Sequence, residues 1–297
     1  MKYFLSNRAA AALVLVLIGS SAHADVVTDW NLAATNATAN IGSPAQARVL
    51  AIAHAAAFDA VNAIQPSFTS YLKEFSAPAG ASADAAASAA IHTVFSALVP
   101  AQRTAFETAY QSIMSRTAEG EGRERGISFG NEVGKAYLEA RSKDGMSATA
   151  EYKPPEGPGQ WRPTPPSNAP MTVPQLADVA PFTTRDFSSF KVQGPPSLDS
   201  VVYARDVDEV RQVGSRYSTT RTADQTASAI FWYISTPVPW QAAARAAAQK
   251  MNLGLVENAR LFALMNMAGT DAYIAAWQIK KKTNFWRPIT AIREAAN

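Results

Sequence analysis

The feature that most constrains the fold is a series of long, alanine-rich stretches whose apolar residues recur every three or four positions. In the stretch 45–64 they fall on one face of a helix: Leu50, His54, Phe58 and Val61. Similar spacing predicts helices at 82–98, 101–116, 122–143, 200–213, 222–233 and 240–282, the last with a candidate break at Gly254. No stretch alternates as a strand would, so the predicted fold class is all-α.

A proline-rich segment interrupts the helical pattern. Residues 152–196 hold eleven of the eighteen prolines, a density that excludes regular helix and most sheet. The segment also carries aromatic residues that favour a chain packed over a helical body: Trp161, Phe182, Phe187 and Phe190. Long ordered loops often form a pocket wall, but a simple covering strap fits the same pattern.

The N-terminus has the pattern of a secretory signal peptide. Lys2 and Arg8 flank the start of an apolar run, and Ala22-His23-Ala24 forms a small-x-small cleavage signal before Asp25. We therefore predict a periplasmic or secreted protein. Its mature part, residues 25–297, forms one helical domain that begins with a surface leader at 25–43. No other stretch is long and apolar enough to suggest a membrane span.

Composition excludes several classes of function. Cleavage of the signal peptide lowers the net charge from +3 to +1, so the basic pI is no argument for nucleic acid. The chain has no cysteine, which excludes thiol nucleophiles and thiolate metal sites. Its histidines are His23, in the signal peptide, and His54 and His92, which lie among apolar residues and are interpreted as structural. Asp59 and Asn62 are expected to hydrogen-bond inside the domain.

The C-terminal segment contains the cationic residue types expected in one half of an oxyanion-binding site, here called the half-site. Lys280 precedes the pair Arg287-Pro288 by seven positions. Lysine supplies a mobile positive charge, and arginine a planar fork that can bind two oxygens at once. A residue before proline avoids the α region, so Arg287 is expected in a turn from which it can reach back toward Lys280.

The sequence around this half-site resembles that of a known family. The segments 257–277 and 284–293, with Lys280 between them, resemble the bacterial vanadium-dependent haloperoxidase branch of the type 2 phosphatidic acid phosphatase superfamily. The segments 47–62, 159–166 and 218–225 resemble it as well. The resemblance implies an all-α helical bundle of the haloperoxidase type over most of residues 25–297.

The resemblance also implies site residues. Lys280, Arg287 and Pro288 match the first of three oxyanion motifs, and Lys280 and Arg287 would bind the oxygens of vanadate or phosphate. Trp277, one helical turn before Lys280, would be a pocket wall, although a core tryptophan fits equally well. The other two motifs, P-S-G-H and S-R-x5-H, are absent from the sequence. We therefore expect an N-terminal part of such a protein, without the catalytic histidines and inactive alone.

Three functions remain open on this basis. The first is peroxide-driven halide oxidation with vanadate in the complete form. The second is a periplasmic acid phosphatase of the same superfamily, acting on a phosphate ester. The third is a non-catalytic exported helical protein that binds an anion or a partner. Because apolar helix faces would lack their missing neighbours, we also expect exposed hydrophobic surface and a tendency to self-associate.

Overall fold

The computed structural model describes residues 25–294, and this part of the chain is helical without a strand. The predicted signal peptide and the last three residues lie outside it. The α-helices are α1 Val26–Ala37, α2 Ser43–Ile64, α3 Ala83–Leu98, α4 Arg103–Met114, α5 Glu121–Ala140, α6 Val201–Val213, α7 Ala223–Trp232, α8 Pro237–Met251, α9 Leu255–Thr283 and α10 Pro288–Glu294. Short 3-10 turns occupy Pro100–Gln102 and Pro174–Asp178. The all-α prediction is confirmed.

Helix α2 is the centre of the bundle. Every residue from 46 to 62 is buried, because α3, α5 and α9 surround it. The predicted single stripe is therefore too narrow, since alanines let neighbouring helices approach on all sides. Among the described residues, α2 is also long and apolar enough to cross a membrane by length and composition, which corrects the sequence prediction. Here it lies inside the bundle.

The predicted surface leader at 25–43 is wrong, because most of it is helix α1. The Asp25 carboxylate accepts a hydrogen bond from the Thr28 amide at 2.9 Å and caps the helix. Val27, Trp30 and Ala34 are fully buried against the bundle. Their spacing of three and four positions is helical, but the small polar residues between them hid it.

Helices α3 and α5 pack unusually closely. Three glycines of α5 face α3: Gly126, Gly130 and Gly134. A Cβ atom on Gly130 would lie 2.2 Å from the Ala86 carbonyl oxygen, and one on Gly126 would lie 2.4 Å from the Ser82 carbonyl oxygen. The two backbones are therefore almost in contact, and only glycine fits between them.

The two C-terminal long helices differ from prediction in detail. The helix predicted from 240 begins earlier, at Pro237, because Pro237 and Pro239 both lie in the first turn of α8, where a missing amide costs little. The break before α9 is confirmed: Asn252 is left-handed, and the Gly254 amide donates to Glu257 Oε2 at 2.6 Å. The long helical region is thus two helices.

Apolar spacing in α9 predicts a buried stripe that includes Ala268 and Ala272, but both are exposed. The buried positions are instead Asn266, Met267, Thr270, Asp271 and Ile274. Asn266 hydrogen-bonds Gln241 of α8. Asp271 faces the loop between α5 and α6, residues 141–200, whose backbone amides need acceptors. Polar residues with partners on other elements therefore replace part of the expected apolar stripe.

The proline-rich loop is packed on the bundle, as predicted. Asp271 accepts hydrogen bonds from the Phe182 and Thr183 amides, both at 2.7 Å. The Arg141 guanidinium lies 3.8 Å from the Phe182 ring centroid. Of the four aromatic residues, Trp161 and Phe182 are buried, Phe187 is half-buried and Phe190 is exposed. The loop is thus tied to α5 and α9 by both hydrogen bonds and apolar contact.

Helices α6 and α7 lie outside this bundle. A capping box of Thr222 and Gln225 opens α7, close to the start of the helix predicted at 222–233. Neither helix contains a buried residue. Apolar residues at the end of α7 are exposed: Ile230, Phe231, Trp232, Tyr233 and Ile234. The expected exposed hydrophobic surface is present here, and self-association remains a prediction.

Candidate functional site

The site begins where α9 ends. Asn284 adopts a left-handed conformation and stops the helix, while its amide still donates to the Lys280 carbonyl at 2.9 Å. Helix α10 starts at Pro288, and the Arg287 carbonyl accepts from the Thr290 amide at 2.9 Å. Arg287 therefore lies in the short connection between two helices, as its position before proline predicts.

The proline-rich loop holds this connection in place. Gln160 and Phe285 form an isolated antiparallel bridge. Next to it, the Trp161 amide donates to the Asn284 carbonyl at 2.7 Å, and the Trp286 amide donates to the Gly159 carbonyl at 2.9 Å. These bonds join segments more than a hundred residues apart, so the position of Arg287 depends on the loop.

A cavity of about 500 Å³ opens between the loop and the α9–α10 connection. We call it the cationic cavity. Its lining includes all three predicted site residues, Trp277, Lys280 and Arg287. The other lining residues are Trp161, Thr164, Ser167, Ala169, Pro170, Met171, Thr172, Thr283, Phe285, Trp286 and Pro288. The structure thus brings Lys280 and Arg287 to one cavity whose walls include four aromatic side chains.

The two cations of the cavity face no acid. Among residues 25–294, neither the Lys280 ammonium nor the Arg287 guanidinium forms a salt bridge or a hydrogen bond with a protein group. Partial burial lowers the pKa of Lys280, and the positive charge of Arg287 lowers it further. Lys280 still reaches solvent at the cavity mouth. An anion bound between the two side chains would relieve their repulsion.

Trp277 fixes the position of Lys280. The lysine nitrogen lies 4.0 Å from the Trp277 ring centroid, a cation–π contact. The indole nitrogen of Trp277 donates to the Thr172 carbonyl of the loop at 3.2 Å. Trp277 is therefore part of the cavity wall rather than of the bundle core, and it connects the lysine to the loop.

The neighbouring lysines differ from Lys280. Lys281 forms a salt bridge with Asp178 at 2.8 Å, so it ties α9 to the 3-10 turn of the loop. Lys282 is exposed and does not line the cationic cavity. Trp286 is buried.

Neither described histidine lines the cavity. His54 is completely buried and contacts the Asn31 amide nitrogen through Nε2 at 3.1 Å, while its Nδ1 has no partner. Burial, followed by the nearby Arg245 charge, lowers its pKa to about 3. His92 lies 3.1 Å from Glu107 Oε2 and stacks on Tyr110. Both histidines are structural, as interpreted from the sequence. In His54 only one of the two ring nitrogens has a hydrogen-bond partner.

The sequence did not identify the loop side of the cavity. Thr164, Ser167 and Thr172 line it from the proline-rich segment, opposite the cations. The only signal was the aromatic and proline content of the segment, which left a pocket wall and a strap equally open. The structure shows a pocket wall. Which loop residues reach the site depends on the long-range bridge to Phe285 and could not be read locally.

The donor set of the cavity fits an oxyanion. A tetrahedral or trigonal-bipyramidal anion needs cationic donors, and the cavity offers an ammonium and a guanidinium without competing carboxylates. Within the described residues, no group of three His, Asp or Glu side chains is placed to hold a bare metal cation. Vanadate and phosphate both fit such a site, because both present negatively charged oxygens.

Comparison with known proteins agrees with this geometry. A family model described as the VCPO second helical-bundle domain matches residues 260–297. A crystal structure of a bacterial vanadium-dependent iodoperoxidase superposes with a TM-score of 0.79 at 21% identity, covering 91% of this chain and 72% of that one. Holo-type bacterial vanadium-dependent chloroperoxidase gives 0.71 at 19% identity, covering 91% and 69%. The apo-type chloroperoxidase gives 0.63 at 18%, covering 86% and 66%.

No curated protein sequence matches significantly. At these identities the structural likeness shows the fold alone, which is that of the bacterial vanadium haloperoxidases. The family model matches the segment that contains Trp277, Lys280 and Arg287. Together they support the superfamily assignment predicted from the sequence motifs.

Proposed function

We propose that the cationic cavity binds vanadate and that the protein belongs to a peroxide-driven halide-oxidising system. In such a reaction, hydrogen peroxide oxidises a halide ion to hypohalous acid. One proton is consumed and one water molecule is released. The observation that carries the proposal is the pairing of Lys280 and Arg287 in one aromatic-walled cavity without an acidic partner among the described residues. The relatives with this fold are named as vanadium-dependent peroxidases.

Each residue has a separate part in this proposal. The Arg287 guanidinium would present two parallel N–H groups to two oxygens of the anion, and Lys280 would neutralise a third oxygen as a point charge. Trp277 would keep Lys280 over the cavity and exclude water from one side. Bound vanadate would supply the activation of peroxide, and the protein residues would supply charge and orientation.

The described residues are proposed to bind the anion without turnover. Catalysis in this superfamily is expected to need histidine, and the two described histidines lie elsewhere in the bundle. The pKa of His54, about 3, also keeps it neutral and unsuited to proton transfer at neutral pH. This observation favours anion binding, rather than phosphatase chemistry, as the second candidate function. The signal-like N-terminus supports an exported location.

The test is vanadate binding to the purified mature chain, followed by titration calorimetry and by tryptophan fluorescence. Lys280→Ala and Arg287→Ala should each weaken binding by about tenfold or more, because each removes a charge-assisted contact worth about 1.5–3 kcal/mol. Arg287→Lys should recover only part of the loss, since a point charge cannot replace the planar fork. Lys250→Ala, an exposed cation on α8, is the matched control and should bind normally.

Activity separates the candidates. Peroxide-dependent bromide oxidation by a vanadate-loaded protein, lost in Lys280→Ala, would establish a peroxidase and refute binding without turnover. Hydrolysis of a phosphate ester in the absence of vanadium would instead overturn the peroxidase proposal. If vanadate binds equally well to the wild type and to both alanine variants, the cationic cavity is not the binding site.

A further inference from the structure

A second cavity of about 780 Å³ lies beside the cationic one, between the end of α9 and loop residues 177–194. We call it the strap cavity. Thr283 lines both cavities, and Ile279 and Lys282 line only the strap cavity. The last turn of α9 therefore separates the two, so a molecule in the strap cavity would lie within one helical turn of the proposed anion site.

The loop wall of the strap cavity is held by hydrogen bonds to the helices. Arg141 at the end of α5 donates to the Ala180 carbonyl at 2.6 Å and to the Pro181 carbonyl at 3.2 Å. The Gln278 side chain of α9 donates to the Ala177 carbonyl at 3.0 Å. The start of this wall is thus anchored to two different helices, and the cavity is preformed on that side.

Apolar and aromatic groups make the floor and the mouth. Val179 is buried and packs with Ile274 and Phe187 in a small apolar cluster. Phe190 is 66% exposed, and its ring centroid lies 6.2 Å from that of Phe187. An exposed phenylalanine beside a half-buried one offers a surface on which a planar ring can stack.

The strap cavity has more unpaired positive than negative charges. Arg185 and Lys282 line it, and neither has an ion pair within residues 25–294. Two acids also line it. Asp178 is paired with Lys281 at 2.8 Å, whereas Asp186 accepts from the Ser188 amide at 2.9 Å and keeps one negative charge. The cavity therefore combines an aromatic surface with two cations that are available to a ligand.

We infer that the strap cavity binds a small organic anion, an aromatic carboxylate whose ring stacks on Phe187 and Phe190 and whose carboxylate meets Arg185 and Lys282. If the proposed peroxidase function holds, on which this role rests, the site names the class of organic substrate kept next to the anion site. The binding itself depends only on residues of the strap cavity.

The experiment compares two probes of one shape, 2-naphthoate and its neutral amide, 2-naphthamide, by titration calorimetry on the mature chain. Naphthoate should bind at one site and about 2- to 25-fold more tightly than the amide, because two exposed cations each contribute about 1.4- to 5-fold. The double variant Arg185→Gln/Lys282→Gln should remove this preference. Phe190→Ala should weaken both probes equally, since it removes ring contact and no charge.

Lys250→Gln is the control for loss of a remote positive charge and should leave both affinities unchanged. All the substituted side chains are exposed, so circular dichroism should confirm an unchanged helix content. Equal binding of acid and amide, absence of binding at millimolar probe, or full affinity in the double variant would each overturn the inference.

The result can be separated from the fate of the proposed function. Lys280→Ala should lose vanadate and keep naphthoate, whereas Arg185→Gln/Lys282→Gln should lose the preference for naphthoate and keep vanadate. If naphthoate binds as expected but vanadate does not, the strap cavity is a ligand site and the peroxidase proposal fails. If only vanadate binds, the inference fails and the proposed function stands.

Discussion

Two groups of helices in this protein have similar local sequences and very different surroundings. The helices around α2 bury large side chains completely, among them Trp30, Phe95, Phe106 and Phe262. Helices α6 and α7 also have helical spacing and good caps, yet they bury nothing. The comparison shows that capping and periodicity specify a helix, whereas the stability of the domain comes from the faces that meet in the bundle.

The largest expected difference comes from the same substitution in the two regions. Phe95→Ala should lower the free energy of unfolding by about 3–5 kcal/mol, because the fully buried ring stacks on Phe106 and its removal leaves a cavity. Phe231→Ala should change it by less than about 0.5 kcal/mol, because that side chain is 53% exposed. Urea unfolding followed by circular dichroism measures both variants.

A second pair of substitutions replaces a glycine by alanine, once where two helices are in close contact and once where no other atoms lie nearby. Gly130→Ala should destabilise the protein by about 1–3 kcal/mol, because the new methyl group would meet the α3 backbone. Gly269→Ala on α9 should stabilise it by about 0.5–1 kcal/mol, because nothing lies within 4 Å and alanine is the better helix former. The signs of the two changes should be opposite in the same unfolding assay.

If Gly130→Ala also stabilises the protein, α3 and α5 do not approach as closely as the structure shows. If Gly269→Ala destabilises it, that face of α9 is covered in solution. The second result would also sharpen the expectation of self-association, since a partner copy is one way to cover the face. Sedimentation velocity of Gly269→Ala and of the wild type would detect that partner.

The same contrast explains what the sequence could predict. The bounds of α2 and α3 followed to within about two residues from apolar spacing, because this signal is local. Helix α1 was missed because its buried face consists of a few residues among small polar ones. The burial of Asp271 on α9 was missed because its partners, the loop amides of Phe182 and Thr183, come from a segment about ninety residues away.

In the candidate site, too, some residues were predictable from the sequence and others were not. Lys280, Arg287 and Trp277 came from a recognisable motif, and the structure places them around one cavity. Their assigned roles remain proposals. The loop residues opposite them were not predictable, because a β-bridge between Gln160 and Phe285 decides which part of the loop faces the cations. Because the bridge uses only one residue from each segment, it produces no periodic sequence pattern in either of them.

A further stability effect is the pH dependence that His54 causes. Its pKa is about 3 in the folded protein and about 6.5 in an unfolded chain, so the unfolded state binds more protons between these values. The stabilising contribution is therefore complete above pH 6.5 and is lost as pH falls toward 3. At pH 5.5 the loss should be about 1.4 kcal/mol relative to neutral pH. Urea unfolding at both pH values measures it.

His92 is the comparison that makes this result specific. Burial also lowers the pKa of His92, but it is only half-buried and Glu107 opposes the shift. Its contribution should therefore have the same sign and be smaller. His54→Gln should flatten the decline of stability between pH 7 and pH 5.5, whereas His92→Gln should leave most of it. Equal slopes in wild type and His54→Gln would mean that water or a proton reaches this histidine, and that the centre of the bundle is more open than its packing indicates.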